Sequence, residues 1–176
     1  MLETVLLIVG ILIAVVLVLV LRRPDEFRVT RSAVIDAAPA AVFEHVNDVE
    51  KWQAWSPWAR IDPDAAIRFE GPKAGEGAKV YWDGKKTGRG SMTVIESRAA
   101  SFIRFQLNFV KPMKATNTAE FTFAPDGDRT KVTWTMYGSN SFMGKLVGLV
   151  MNCEKMVGGQ FEDGLKNLNE IAAEKN

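Results

Sequence analysis

Histidine and cysteine are almost absent from these 176 residues, with one of each, His45 and Cys153. A lone cysteine excludes an intrachain disulfide framework and a cysteine-based zinc site, and agrees with a reducing compartment. A lone histidine leaves little for metal ligation or histidine-driven acid–base chemistry, so neither a metal nor a cofactor is expected. On this reading His45 is a helix-surface residue and Cys153 a buried, inert thiol. Neither sign of charge is in excess. Lys and Arg number 22 against 21 Asp and Glu, a net charge of +1, which gives no field to draw nucleic acid. No GxxxxGK[ST] string is present to cradle a nucleotide phosphate, and there is no internal repeat or low-complexity stretch.

What is present begins with a long apolar run. From Val5 to Leu21 there is no charged or polar side chain. With Thr4 the run makes about 27 Å of helix, close to a hydrocarbon core of roughly 30 Å. Its head is Met-Leu-Glu rather than basic, and Arg22 and Arg23 close it in place of an A-x-A-like cleavage site. These features predict an uncleaved single-pass anchor over residues 1–23, not a processed signal. Arg22 and Arg23, set against Glu3, place the rest of the chain on the cytoplasmic face. Only Pro24, Asp25 and Glu26 separate the anchor from the first strand-like residues. The soluble part, residues 24–176, is therefore expected to sit nearly on the lipid.

That part has the length of one α+β domain. Phe27–Asp36 reads as a strand. Pro39 then opens a helix with Val42, Phe43, Val46 and Val49 on one face. Lys51–Pro63 holds Trp52, Trp55 and Trp58 between prolines, which predicts a short helix or turns pinned by indoles. Six further runs read as strands: Ala66–Glu70, Ala78–Trp82, Gly90–Glu96, Ser101–Val110, Ala115–Phe123 and Thr130–Tyr137. Turn residues at Asp83–Lys86 and Pro125–Asp128 make antiparallel hairpins of their neighbours. Alternation puts Ile103, Phe105, Leu107 and Phe109 on one face, with Asn117, Phe121, Phe123, Val132, Trp134 and Met136. From Val157 the period becomes helical through Phe161, Leu165, Leu168 and Ile171, a long amphipathic helix to about Glu174. Phe142–Val150, FMGKLVGLV, is apolar nearly all round. It reads equally as a lipid-touching gate, with Met143 and Met151 for adaptability, or as a helix buried against the terminal one.

The order of strand, Pro-started helix, Trp-rich bend, six strands and long terminal helix resembles the helix-grip fold of the START-like superfamily. More closely, the chain is similar to bacterial SRPBCC proteins of the polyketide cyclase or dehydrase type. The matching residues are Trp52-Gln53-Ala54-Trp55-Ser56-Pro57-Trp58, Asp62-Pro63, Gly71-Pro72, Gly75 and Gly77, then Gly88 through Gly90-Ser91-Met92, and Gly158-Gly159-Gln160-Phe161-Glu162-Asp163-Gly164-Leu165. The resemblance implies a seven-stranded curved antiparallel sheet wrapped on a long C-terminal helix, with an apolar cavity between them.

Trp55, Trp58, Trp82, Phe105, Leu107, Phe109, Asn117, Phe121, Phe123, Trp134, Met136, Leu146, Val150 and Phe161 are the candidate ligand-binding residues. The aromatics serve equally as core. Asn117 either orients a ligand carbonyl or hydroxyl or is satisfied by backbone. An enzyme would have to draw on Asn117, Tyr81, Glu96 or Arg104, which form no recognisable acid–base pair, so no catalytic residue is assigned. The leading reading is a binding module at the membrane for a hydrophobic small molecule or lipid. A cyclase or dehydratase acting on an apolar substrate and a non-catalytic interaction scaffold stand as alternatives.

Overall fold

The computed structural model describes residues 1–150 and 152–173. Met151 and Glu174 lie outside them, as does the side chain of Cys153. The apolar run forms α1 (Leu2–Leu21), with a mean hydropathy of 3.5 over its best window. Its side chains are exposed apart from Val20, which is fully buried near the C-terminal end.

Seven strands follow in one antiparallel sheet: β1 (Glu26–Ile35), β2 (Ala66–Glu70), β3 (Lys79–Gly84), β4 (Gly88–Arg98), β5 (Phe102–Lys111), β6 (Ala115–Asp126) and β7 (Arg129–Ser139). Their spatial order is β1-β7-β6-β5-β4-β3-β2. Strands β2 to β7 are joined by successive reversals, while β1 and β2, neighbours in sequence, form opposite edges. The chain between those edges carries α2 (Pro39–Asn47), α3 (Trp52–Trp55) and α4 (Pro57–Ile61). Pro39 and Pro57 each start a helix, where a missing N–H costs nothing. Val42 and Val46 are buried on α2, whereas Val49 is buried in the turn beyond the helix end. His45 is buried rather than on the surface, 7% exposed, because the α2 flank is covered by Trp55. The indoles do pin the bend: Trp52 Nε1 donates to the Val46 carbonyl at 2.8 Å and Trp55 Nε1 to that of His45 at 3.0 Å.

α5 (Phe142–Val150) and α6 (Cys153–Ala173) complete the chain. α6 lies across the inner face of the sheet and buries Phe161, Leu165, Leu168 and Ala172. Arg31 of β1 ties it down through Glu154 at 2.8 Å and Glu162 at 2.6 Å. Asn167 adds a bond from its Nδ2 to the Trp55 carbonyl. α5 does not pack on α6 as a buried helix; it lies against α1.

The register divides the inner face into rows. At the end where α1 joins, Phe27 is level with Gly138, Asn117, Leu107, Met92 and Val80, and Phe109 with Gly90 and Trp82. At the far end Ile35 pairs with Thr130, and Phe123 with Val132. The far rows, with Phe105, Phe121 and Ile103, are filled by α2, α3 and the second half of α6. Trp52 stands edge-on to Phe105, Phe121 and Trp134 at 5.3, 5.7 and 5.8 Å, the geometry that aligns ring edges with π faces.

Candidate ligand cavity

The rows nearest α1 are not filled. A cavity of about 290 Å³ lies between the sheet, the α3–α4 bend and the first half of α6, at the lower edge of the roughly 300–1,000 Å³ common for small-molecule sites. β3, β4 and β5 supply Val80, Trp82, Met92, Leu107 and Phe109, and β6 and β7 supply Ala119, Trp134 and Met136. α6 closes it with Val157 and Phe161. Phe161 stacks on Trp134 with ring centroids 4.0 Å apart and planes 6° from parallel, so the deep wall is a rigid double layer of rings.

Polar groups are few. Gln53, Ser56, Asp62 and Thr87 reach the wall. Asp62 is buried, and its Oδ2 accepts from Lys86 N at 2.7 Å, Thr87 N at 3.0 Å and Thr87 Oγ1 at 3.1 Å. Those backbone donors, Thr87 first and then Lys86, hold its carboxyl below the usual carboxylate range. The carboxylate thereby fastens the α4–β2 connection to the β3–β4 turn, and its accepting oxygen is already occupied. Among the described residues none pairs with it as acid and base. Among the described residues no group of three or more His, Cys, Asp and Glu side chains gathers where it could hold a metal.

The candidate residues divide by row. Trp58, Trp82, Leu107, Phe109, Trp134, Met136 and Phe161 line the cavity. Trp55, Phe105, Phe121 and Phe123 share the same sheet face or cover it, but sit in the filled rows beyond, where α2 and α3 leave no space. Asn117 is buried near the α1 end of the sheet but off the cavity wall. Its Oδ1 has no hydrogen-bond partner among the described residues and lies against Gly138, where a Cβ would collide with it. The backbone-satisfied alternative for its Oδ1 is therefore not what the structure holds. Leu146 and Val150 are on α5, away from the wall, and Val150 is 90% exposed. Tyr81, Glu96 and Arg104 face away from α6. Tyr81 donates to Glu70, and Arg104 bridges Glu96 and Glu120. No reaction in the cavity can draw on them.

Sequence reading missed Trp52, Gln53, Ser56, Ala59, Asp62 and Pro63 in the bend as wall residues, together with Ala65, Ile67, Val80, Thr87, Met92, Ala119 and Val157. For Ala119 a signal existed, since it shares parity with Asn117 and Phe121; small residues simply carry little hydrophobic weight. Ile67 and Thr87 reach the wall through strand pairing and a turn, which no local pattern encodes.

A family described as polyketide cyclase / dehydrase and lipid transport matches residues 26–173. No curated protein is significantly similar to the chain. Among solved structures the fold is similar to protein CV1439 from Chromobacterium violaceum, 16% identical, with a TM-score of 0.59 over 86% of this chain and 99% of that one. It is similar also to MLL2253 from Mesorhizobium loti, 10% identical, TM-score 0.64, over 85% and 99%. TTHA0849 from Thermus thermophilus is 20% identical, TM-score 0.62, over 85% and 99%. At such identities the neighbours establish the helix-grip fold alone. The family match, which runs from the first residue of β1 to the last of α6, carries more: the chain belongs to the SRPBCC-type polyketide cyclase/dehydrase and lipid-transport family.

Proposed function

We propose that the chain is a single-pass membrane protein whose domain, residues 24–176, binds a compact hydrophobic molecule drawn from the bilayer. The observation that carries this reading is position. The cavity occupies the end of the sheet to which α1 is joined, so its apolar wall lies close to the level where α1 would leave the hydrocarbon. α1 is taken as a retained anchor, residues 1–23, rather than a signal, because Val20 is buried and α5 packs against α1. Arg22 and Arg23 favour the cytoplasmic face for the domain. The cavity size favours one acyl or isoprenoid chain, or a comparable compact apolar ligand, over a two-tailed phospholipid. Binding rather than turnover is favoured by the cavity's polar groups: one carboxylate already committed to backbone donors, and no acid–base pair.

Native mass spectrometry of the detergent-purified full chain, followed by solvent extraction, tests this. A defined apolar molecule should co-purify with the protein. It should be absent from Ala119→Phe and from Leu107→Trp, each of which fills the cavity. A full-length protein that carries no ligand and binds no fatty acid or isoprenoid alcohol when one is offered overturns the reading. A ligand bound equally well by both filled variants overturns the choice of cavity.

A further inference from the structure

α5 takes no part in the cavity wall, yet it is apolar almost all round. Its one charged side chain, Lys145, is buried, and the ammonium is held by Asp25 Oδ1 at 2.5 Å. The helix therefore shows no free charge to water. Met143, Leu146 and Val150 fall at i, i+3 and i+7 and share one face. Met143 and Val150 are exposed on it, with Phe142 exposed beside them at the helix start. An apolar face of this kind calls for a cover.

Its place in the molecule says what the cover is. α5 lies against α1, and Arg23 reaches over it at Gly148, where a Cβ would sit 3.7 Å from Arg23 Nη1. The connection is short and held: Asn140 N donates to the Asp25 carbonyl at 2.6 Å, and Asn140 Nδ2 to that of Pro24 at 3.2 Å. α5 is thus fixed level with the last turn of α1. With α1 across a bilayer, that level is the boundary of headgroups and acyl chains, where the Arg22 and Arg23 stems reach lipid phosphates. We infer that α5 lies in the membrane interface, with Met143, Leu146 and Val150 in the acyl region, as a second membrane contact beside the anchor. This rests on α1 being an anchor.

The test uses the full chain in a Cys153→Ser background, with one environment-sensitive dye at Met143→Cys, Val9→Cys or Asp128→Cys. Each is reconstituted in phosphatidylcholine–phosphatidylglycerol vesicles bearing nitroxide lipids labelled either shallow or deep. The dye at position 143 should emit to the blue and be quenched most by the shallow label, about 5–10 Å into the boundary. Position 9 should answer to the deep label, and position 128, on the far hairpin, to neither. Quenching at 9 but not at 143 leaves the anchor standing and overturns the inference. No quenching at 9 overturns the anchor and the inference together. An efficient 143-to-143 disulfide in the unlabelled Met143→Cys protein on mild oxidation, together with no quenching of the labelled one, assigns the face to a second copy and likewise overturns the membrane contact.

Discussion

Gly164 decides how closely the terminal helix approaches the sheet. A Cβ there would lie 2.9 Å from Trp134 Cζ3 and 3.2 Å from Pro57 Cδ, both parts of rigid rings. Gly164→Ala is therefore expected to cost about 1–3 kcal/mol, as overpacking does. Gly159→Ala meets nothing within 4 Å and should be neutral or stabilising by up to about 1 kcal/mol, as Ala replaces Gly within a helix. Urea unfolding of the pair measures the contrast. The sequence displays all the glycines of the motif alike. Which of them is sterically required depends on Trp134 and Pro57, far away in the chain, so no local pattern distinguishes them. Asp62 gives a second residue-scale expectation. Its folded pKa is depressed below the ordinary aspartate value of 3.8, so its contribution is complete above that value and is lost as pH falls through the lower folded value. Stability should decline on acidification below about pH 4. In Asp62→Asn that decline should be shallower, as measured by chemical unfolding at a series of pH values.

Among the elements, the strands were the most readable, because a half-buried antiparallel sheet writes its inside face as strict alternation. The same alternation could not separate the filled rows from the hollow ones. That division is made by α2, α3 and α6, whose placement over the sheet is a tertiary fact. It has a measurable consequence. Phe121→Ala, in a filled row, should cost about 3–5 kcal/mol and leave the affinity for an apolar ligand nearly unchanged. Substitutions at Leu107 or Met136, on the cavity wall, should act on affinity first. Thermal unfolding paired with a ligand-displacement titration tells the two classes apart. α5 was legible as apolar but not as to its neighbour, since FMGKLVGLV fits a core as well as a surface. Asp25→Asn would leave Lys145 buried without its counter-charge. Amide hydrogen exchange across Phe142–Val150 should then quicken while the sheet keeps its protection.

For the molecule as a whole, one end carries the apolar helix, α5 and the hollow rows, and the other end carries the packed ones. The polarity follows from the register together with the chain's point of entry into β1. Length and composition alone made the N-terminal apolar helix readable, and the order of strands and helices the α+β fold, but the cavity's end required the sheet order.

The bonds from Asn140 to Pro24 and Asp25, and from Lys145 to Asp25, leave the neck of the protein little freedom to swivel. On the proposed reading, a domain held that way is a berth rather than a ferry. It cannot carry a cargo across an aqueous gap to a distant acceptor, so whatever it takes up must be handed back to the same leaflet or passed to a partner that comes to it.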